Sequence, residues 1–234
     1  MFVKISVIIP TYNESRNVQR LVREIRRVLP RSEIVVVDDN SPDGTGAVVN
    51  RLARRDPEVR LVERIGERGL GSAIIRGFRE ARGEVVGVID ADFSHPPAAL
   101  PQLIAKFDEG YDLVIGSRYV KGGGIENWPA LRKITSRIAI ALARPLTGIK
   151  DPVSGFFFVR KSALSGVALS SRSWKVALDV IVKGSYARAI EVPYVFTNRQ
   201  KGKSKIDAKE YARYVLHLME LVAFCLRGSR KTSS

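Results

Sequence analysis

The chain has 234 residues, 45% of them hydrophobic and 27% charged, with 39 Lys and Arg against 24 Asp and Glu for a formal net charge of +15. That apolar content excludes a disordered chain, and the length suits one large domain with a sizeable core. A lone cysteine, Cys225, and two histidines, His95 and His217, exclude a disulfide framework and argue against a Cys- or His-built metal site.

In chain order, Val3–Ile9 is a short β-branched run and reads as a strand. Glu14–Leu29 follows with apolar Val18, Leu21, Val22, Ile25, Val28 and Leu29 at helical spacing, which leaves its arginines on the opposite face. Glu33–Val37 is the next strand, closed by the turn-forming run Asp38-Asp39-Asn40-Ser41-Pro42-Asp43-Gly44. A helix over 44–55, a strand at Val59–Glu63, a helix over 71–82 and a strand at Glu84–Ile89 continue the alternation. A helix over 98–109 and a strand at Leu113–Ile115 complete this half. Repeated strand–helix units of this length predict an α/β fold with a mostly parallel central sheet and helices on both faces.

Beyond residue 117 the pattern loosens. Gly122-Gly123-Gly124 reads as a flexible loop, Leu131–Leu146 as a helix, and Gly155–Val159 and Arg188–Phe196 as strands flanking a helix over 174–183. Thr197–Lys205 is a polar basic loop, and Asp207–Leu226 is an amphipathic helix with Asp207 at its N-cap. The expected organisation is a catalytic domain over 1–206, with halves 1–117 and 118–206, then a C-terminal helix over 207–227 and a basic tail over 228–234. Met1-Phe2-Val3-Lys4 runs straight into the first strand, with no apolar leader. No window of 18 uncharged apolar residues predicts a membrane span; Tyr214–Leu226 comes nearest and carries His217 and Glu220.

The charge is unevenly placed. Residues 1–117 hold 17 basic and 17 acidic side chains, whereas residues 118–234 hold 22 and 7. A basic protein invites a nucleic-acid reading, but no basic motif interleaved with aromatics supports it, so no nucleic-acid partner is expected. The positive half is suited to phosphates instead.

In open α/β sheets ligands sit beyond the carboxyl ends of the strands. Three such ends carry polar clusters: Pro10-Thr11-Tyr12-Asn13-Glu14, Asp38-Asp39-Asn40 and Asp90-Ala91-Asp92. No G-x-G-x-x-G follows the first strand, which disfavours a dinucleotide site. Gly202-Lys203-Ser204 ends like a P-loop, but Thr197 stands where the first glycine belongs. Asp90 and Asp92, one residue apart at the end of an apolar strand, are suited to a divalent cation that completes its shell with substrate phosphates. Read alone, Asp38 caps the turn after it. His95, before Pro96-Pro97, reads as a structural loop residue, and Cys225 as packing.

On these segments the sequence resembles the GT-A-fold glycosyltransferases of family 2. Within them it is most similar to the polyprenyl-phosphate mannosyltransferases, the dolichol-phosphate mannose synthases. The similarity also rests on Gly116-Ser117-Arg118-Tyr119, Glu126-Asn127-Trp128-Pro129 and Asp151-Pro152-Val153-Ser154-Gly155-Phe156. It spans about residues 5–206, with two departures. Phe93-Ser94 stands where Leu-Gln is usual, and Asn40 where a third Asp is frequent. The Q-x-x-R-W signature of processive family 2 synthases is absent.

The resemblance implies a GT-A (Rossmann-like) fold and transfer of mannose from GDP-mannose to dolichyl or polyprenyl phosphate, with inversion. The related alternative is transfer of another sugar, such as glucose from UDP-glucose. By this likeness Pro10, Tyr12, Glu14, Val37 and Asp39 hold the guanosine. Asp90, Ala91 and Asp92 hold the sugar diphosphate, and Asp90, Asp92 and Ser94 hold Mg2+ or Mn2+. Arg199 and Lys205 clamp the diphosphate. Arg118, Arg132 and Ser136 meet the acceptor phosphate, Arg118 also touching the donor; Asp92 and Arg118 are the expected catalytic residues. Arg132 and Ser136 lie four apart on a predicted helix and so share a face. Asp151 is expected to orient neighbouring structure rather than substrate. A lipid acceptor implies a cytoplasmic protein peripheral on the cytoplasmic face of a membrane, held by anionic headgroups or a small membrane partner subunit.

Overall fold

The computed structural model describes residues 3–170, 175–198 and 208–231, and in the last helix the side chains of 212–227. The elements run β1 (Ile5–Thr11), α1 (Val18–Val28), β2 (Glu33–Asp38), α2 (Thr45–Ala53), β3 (Val59–Glu63), α3 (Leu70–Glu80) and β4 (Val85–Val88). They continue as α4 (Leu100–Asp108), β5 (Leu113–Ser117), β6 (Gly124–Glu126), α5 (Ala130–Thr147) and β7 (Phe157–Arg160). α6 (Val176–Lys183), β8 (Ala189–Pro193), β9 (Val195–Thr197) and α7 (Ala208–Lys231) complete the chain.

Seven strands form one sheet in the order β3-β2-β1-β4-β7-β5-β8. β1, β2, β3 and β4 are mutually parallel, as the strand–helix alternation predicts. β7 runs antiparallel between β4 and β5, so both halves of the chain contribute to one sheet. β-branched residues fill these strands because both sheet faces are covered. Val7, Ile9, Ile34 and Val36 enter the core beneath α1 and α4, while Ile8, Val35 and Val37 point into the other, beneath α3 and α6. Gly87 lies opposite Phe158, and a Cβ there would fall 2.0 Å from the Phe158 ring; the glycine makes room for the inserted strand.

Several expectations change. α1 starts at Val18 rather than Glu14, because Asn13 adopts a left-handed conformation (φ 62°) and Glu14 O closes a turn onto Asn17 N at 2.9 Å. The strand expected over Arg188–Phe196 is two strands. β8 pairs with β5, while β9 leaves to pair with β6 in a separate two-stranded sheet. Pro193, without an N–H, sits where the first ends. The expected flexible triglycine loop therefore supplies the first residue of β6, Gly124. Thr197 and Asn198 are described; the rest of the basic loop, Asp207 and the first residue of the 174–183 helix lie outside the described residues.

α7 packs on α5 and α6 through Tyr214, His217, Leu218 and Leu221. Tyr214 donates to Ala139 O at 2.7 Å, and His217 Nε2 lies 3.1 Å from the buried carboxylate of Asp179. Their outward faces stay bare: Leu131, Ile134, Ile138 and Leu142 on α5, and Leu216, Met219, Val222 and Leu226 on α7, are all more than 40% exposed. Among the described residues no helix is long and apolar enough to cross a membrane.

Candidate active site

The strand order reverses direction between β1 and β4, and the loops after these two strands open there, where open α/β sheets bind ligands. A cavity of about 450 Å³ lies at this point. Pro10, Tyr12 and Glu14 line it after β1, and Asp90, Ala91, Asp92 and Ser94 line it after β4. Arg118, Arg132 and Ser136 approach from the C-terminal half. Residues from three remote segments, read separately from the sequence, thus share one space.

The β1 and β2 loops are stitched together. Asp38 accepts from Thr11 Oγ1 (2.7 Å), Ser41 N (2.8 Å) and Ser41 Oγ (2.7 Å), the capping role read from its position. Asn13 N donates to Ser41 Oγ at 2.9 Å and Glu14 N to Thr45 Oγ1 at 3.0 Å, which fixes Tyr12 and Glu14 at the rim. Asn40 is left-handed (φ 51°), a conformation Asn tolerates well, which accounts for its presence in the acidic run. Phe93, just after Asp92, is also left-handed (φ 62°); an aromatic residue there stores strain, as site loops often do.

Val37 and Asp39 do not reach the cavity surface. Val37 is core, and Asp39 spends its oxygens on Arg64 Nε (2.7 Å) and Gly69 N (2.9 Å), holding the loop before α3. Arg199 and Lys205 lie outside the described residues.

Asp92 Oδ1 accepts from Ser94 N at 3.0 Å, which curls the loop after the strand end. Ser94 Oγ is buried and has no hydrogen-bond partner among the described residues. Two carboxylates and an orphaned hydroxyl lining one cavity form an all-oxygen donor set that fits a hard divalent cation. With Ser in place of a longer amide, that donor is short.

Arg118 is 6% exposed and Asp151 fully buried. Asp151 accepts from Arg118 N (3.0 Å), Nε (2.8 Å) and Nη2 (2.7 Å), a bidentate fork plus a backbone contact. Burial would lower the guanidinium pKa, but the bonds and charge of Asp151 outweigh it and raise it further. Asp151 is therefore the structural partner expected of it: it aims Arg118. Arg132 Nη1 donates to Asn198 Oδ1 at 3.0 Å and its guanidinium lies 4.2 Å from the Trp128 ring centroid. Ser136 Oγ and Tyr119 OH are 3.3 Å apart, so Arg132 and Ser136 do present one face of α5 to the cavity.

The sequence reading missed several lining residues. Lys175, at the start of α6, donates to Val153 O at 2.7 Å. Burial and the Arg118 charge push its ammonium down to about 7, against the pull of Asp151 and Asp90. Tyr194, just before β9, and Phe196, within it, line the cavity with Trp128, and burial pushes the Tyr194 phenol up. No local pattern marks any of them. His95 is a loop residue, as read, but also lines the cavity: its ring stacks on Phe156 at 5.0 Å and is 2% exposed. Burial, with the Arg118 and Lys175 charges, holds it down to about 3 despite Asp92, so it is neutral.

A doubly wound sheet of this order, with a cavity lined by carboxylates and arginines at its switch point, has the architecture of the GT-A fold. The glycosyl transferase family 2 model matches residues 6–167, and the chain belongs to that family. More particularly, it is similar to the dolichol-phosphate mannosyltransferase of Pyrococcus furiosus, at 46% identity over 94% of this chain and 64% of that protein. It is likewise similar to those of Mycosarcoma maydis (40%; 94% of this chain, 79% of that one) and Saccharomyces cerevisiae (37%; 96% and 89%). Among solved structures, mannosyl-3-phosphoglycerate synthase from Rubrobacter xylanophilus shares the fold with a TM-score of 0.70 at 22% identity, over 97% of this chain and 75% of that one. A mannosyltransferase from Pyrobaculum calidifontis in complex with GDP-Man and Mn2+ does so with a TM-score of 0.59 at 22% identity, over 97% and 65%.

Proposed function

We propose that the protein transfers mannose from GDP-mannose to a polyprenyl phosphate such as dolichyl phosphate, giving polyprenyl-phosphate mannose and GDP. The observation that carries this reading is the single cavity. Its lining includes both the Asp90 and Asp92 carboxylates and the arginines and serine suited to a phosphate, Arg118, Arg132 and Ser136. The first set suits a metal-bound diphosphate and the other a second phosphate; the relatives at 37–46% identity carry the matching name.

Tyr12 and Glu14, with Pro10, take the guanosine at the rim; Val37 and Asp39 support them from behind. Asp90, Asp92 and Ser94 hold the divalent cation, Mg2+ or Mn2+, with Ala91 beside the diphosphate. When bound, the cation offsets the charge that builds on the departing GDP. Arg199 and Lys205 add cations on the same diphosphate. Arg118, aimed by Asp151, and Arg132 bind the acceptor phosphate and turn its oxygen toward the anomeric carbon. That oxygen is ionised at neutral pH, so no side chain need remove a proton. The new C–O bond forms as the bond to GDP breaks on the opposite face, inverting the centre. The residues for the guanosine and the cation come from 1–117 and the cationic residues that meet the phosphates from 118–206, the division the charge distribution marks.

The bare apolar faces of α5 and α7 and the basic second half support a position on a membrane surface bearing anionic headgroups, on its cytoplasmic side. The test is a transfer assay with GDP-mannose and UDP-glucose, each against polyprenyl phosphate, a hexose phosphate and water. GDP-mannose with polyprenyl phosphate should dominate; transfer from UDP-glucose instead, or to no lipid, would overturn the reading.

A further inference from the structure

His95 has two ring nitrogens with different tasks. Nδ1 faces the backbone N–H of Asp90 at 3.2 Å and must accept from it, since both cannot donate. The proton of the neutral ring therefore sits on Nε2. Nε2 has no hydrogen-bond partner among the described residues and, on the ring edge beside Gly155, opens on the cavity. The ring cannot turn away: Phe156 stacks on it, and Tyr194 and Phe196 meet it edge-on at 5.6 and 5.8 Å. A buried, fixed N–H donor thus points into a substrate cavity.

What it addresses follows from its neighbour. Asp90 carboxylate lies 3.7 Å from Nδ1, on the same side of the ring. The space a Cβ on Gly155 would fill is 3.4 Å from His95 Cε1, 3.7 Å from Asp90 Oδ2 and 3.9 Å from Nε2. An N–H donor beside a carboxylate acceptor matches a hydroxyl, which both accepts and donates. The phosphates already have Arg118, Arg132 and Lys175 along the same cavity.

We propose that His95 is a specificity-determining residue whose Nε2–H donates to a hydroxyl of the transferred sugar, which the missing side chain at Gly155 allows to approach. This rests on the nucleotide-sugar reading above. The test compares His95→Gln and His95→Asn by calorimetric binding of GDP-mannose and of GDP to the whole protein, because Gln places its amide near Nε2 and Asn near Nδ1. Asn should lower the preference for GDP-mannose over GDP by about three- to tenfold, the value of one neutral hydrogen bond, with GDP affinity unchanged. Gln should retain the preference to within about twofold. Gly155→Ala, whose methyl meets only ordinary contacts, should fold normally and lose the preference as Asn does. Among monodeoxy GDP-mannose analogues, one should bind wild type and His95→Asn alike.

Retention by Asn with loss in Gln would overturn the proposal, making His95 a support for the Asp90 backbone. So would an equal loss of GDP affinity, which places the N–H on the diphosphate, or no change in any variant. Wild-type protein that binds GDP no less tightly than GDP-mannose would remove the sugar contact, whereas wild type that binds neither would overturn the donor reading itself and this contact with it.

Discussion

Asp151→Ala is the sharpest perturbation available, because it strands a buried cation. Arg118 is 6% exposed and is held by Asp151 through three bonds of 2.7–3.0 Å. Removing one member of such a pair costs roughly 3–5 kcal/mol, and burial this deep leaves no solvent screening to discount. For a chain of this length each kcal/mol moves the thermal midpoint by about 2–4 °C, so the variant should melt about 6–20 °C lower. In the same variant Arg118 loses its aim, so KM for polyprenyl phosphate should rise while GDP affinity holds. Replacing both partners, as Asp151→Ala with Arg118→Met, should recover much of the stability, since an apolar pair leaves no buried charge, but not the acceptor KM. Scanning calorimetry and steady-state kinetics on the three variants make the check. A midpoint shift under about 2 °C, or a double variant no more stable than the single, would refute the reasoning.

Asp90→Asn and Asp92→Asn should each lower kcat/KM by about a hundredfold or more while leaving the thermal midpoint near wild type, measured in the transfer assay. Gly87→Ala should cost at least about 1–3 kcal/mol in urea unfolding, because its methyl would meet the Phe158 ring at 2.0 Å. Lys175 is held to about 7 in the folded protein against 10.5 for a free lysine. Between these values the unfolded chain keeps a proton the folded one has shed, so stability rises with pH from about 7 to about 10. Lys175→Met should flatten that rise in denaturation curves; parallel curves would contradict it. Leu131→Gln with Ile138→Gln, at positions 73% and 55% exposed, should change stability by less than about 0.5 kcal/mol yet weaken flotation with anionic vesicles.

The strands and helices of the first half were readable because both signals are local: β-branched runs that two covered faces demand, and the α1 spacing that puts Val18, Leu21, Val22 and Ile25 inside. The three strand-end clusters were legible for the same reason, as was the shared face of Arg132 and Ser136. What stayed hidden depends on contacts between remote segments. The antiparallel insertion of β7 is fixed by Gly87 meeting Phe158, 71 positions apart in sequence, and no periodicity announces it. Lys175 enters the site only because α6 packs against the 151–156 segment, through Val153 O. The family likeness gives Asp39 a part in holding guanosine, while its carboxylate holds Arg64 and Gly69, a contact that only the folded loop before α3 presents. The two tasks of His95 are separable only once the Asp90 backbone is seen to occupy Nδ1.

The most direct test of the central claim is product formation from labelled GDP-mannose and dolichyl phosphate, with EDTA and with Mg2+ or Mn2+ restored. The account predicts a lipid-linked mannosyl phosphate of inverted anomeric configuration, lost with EDTA and recovered with the cation. Undiminished transfer in EDTA, retention of configuration, or no mannose on the lipid would contradict it.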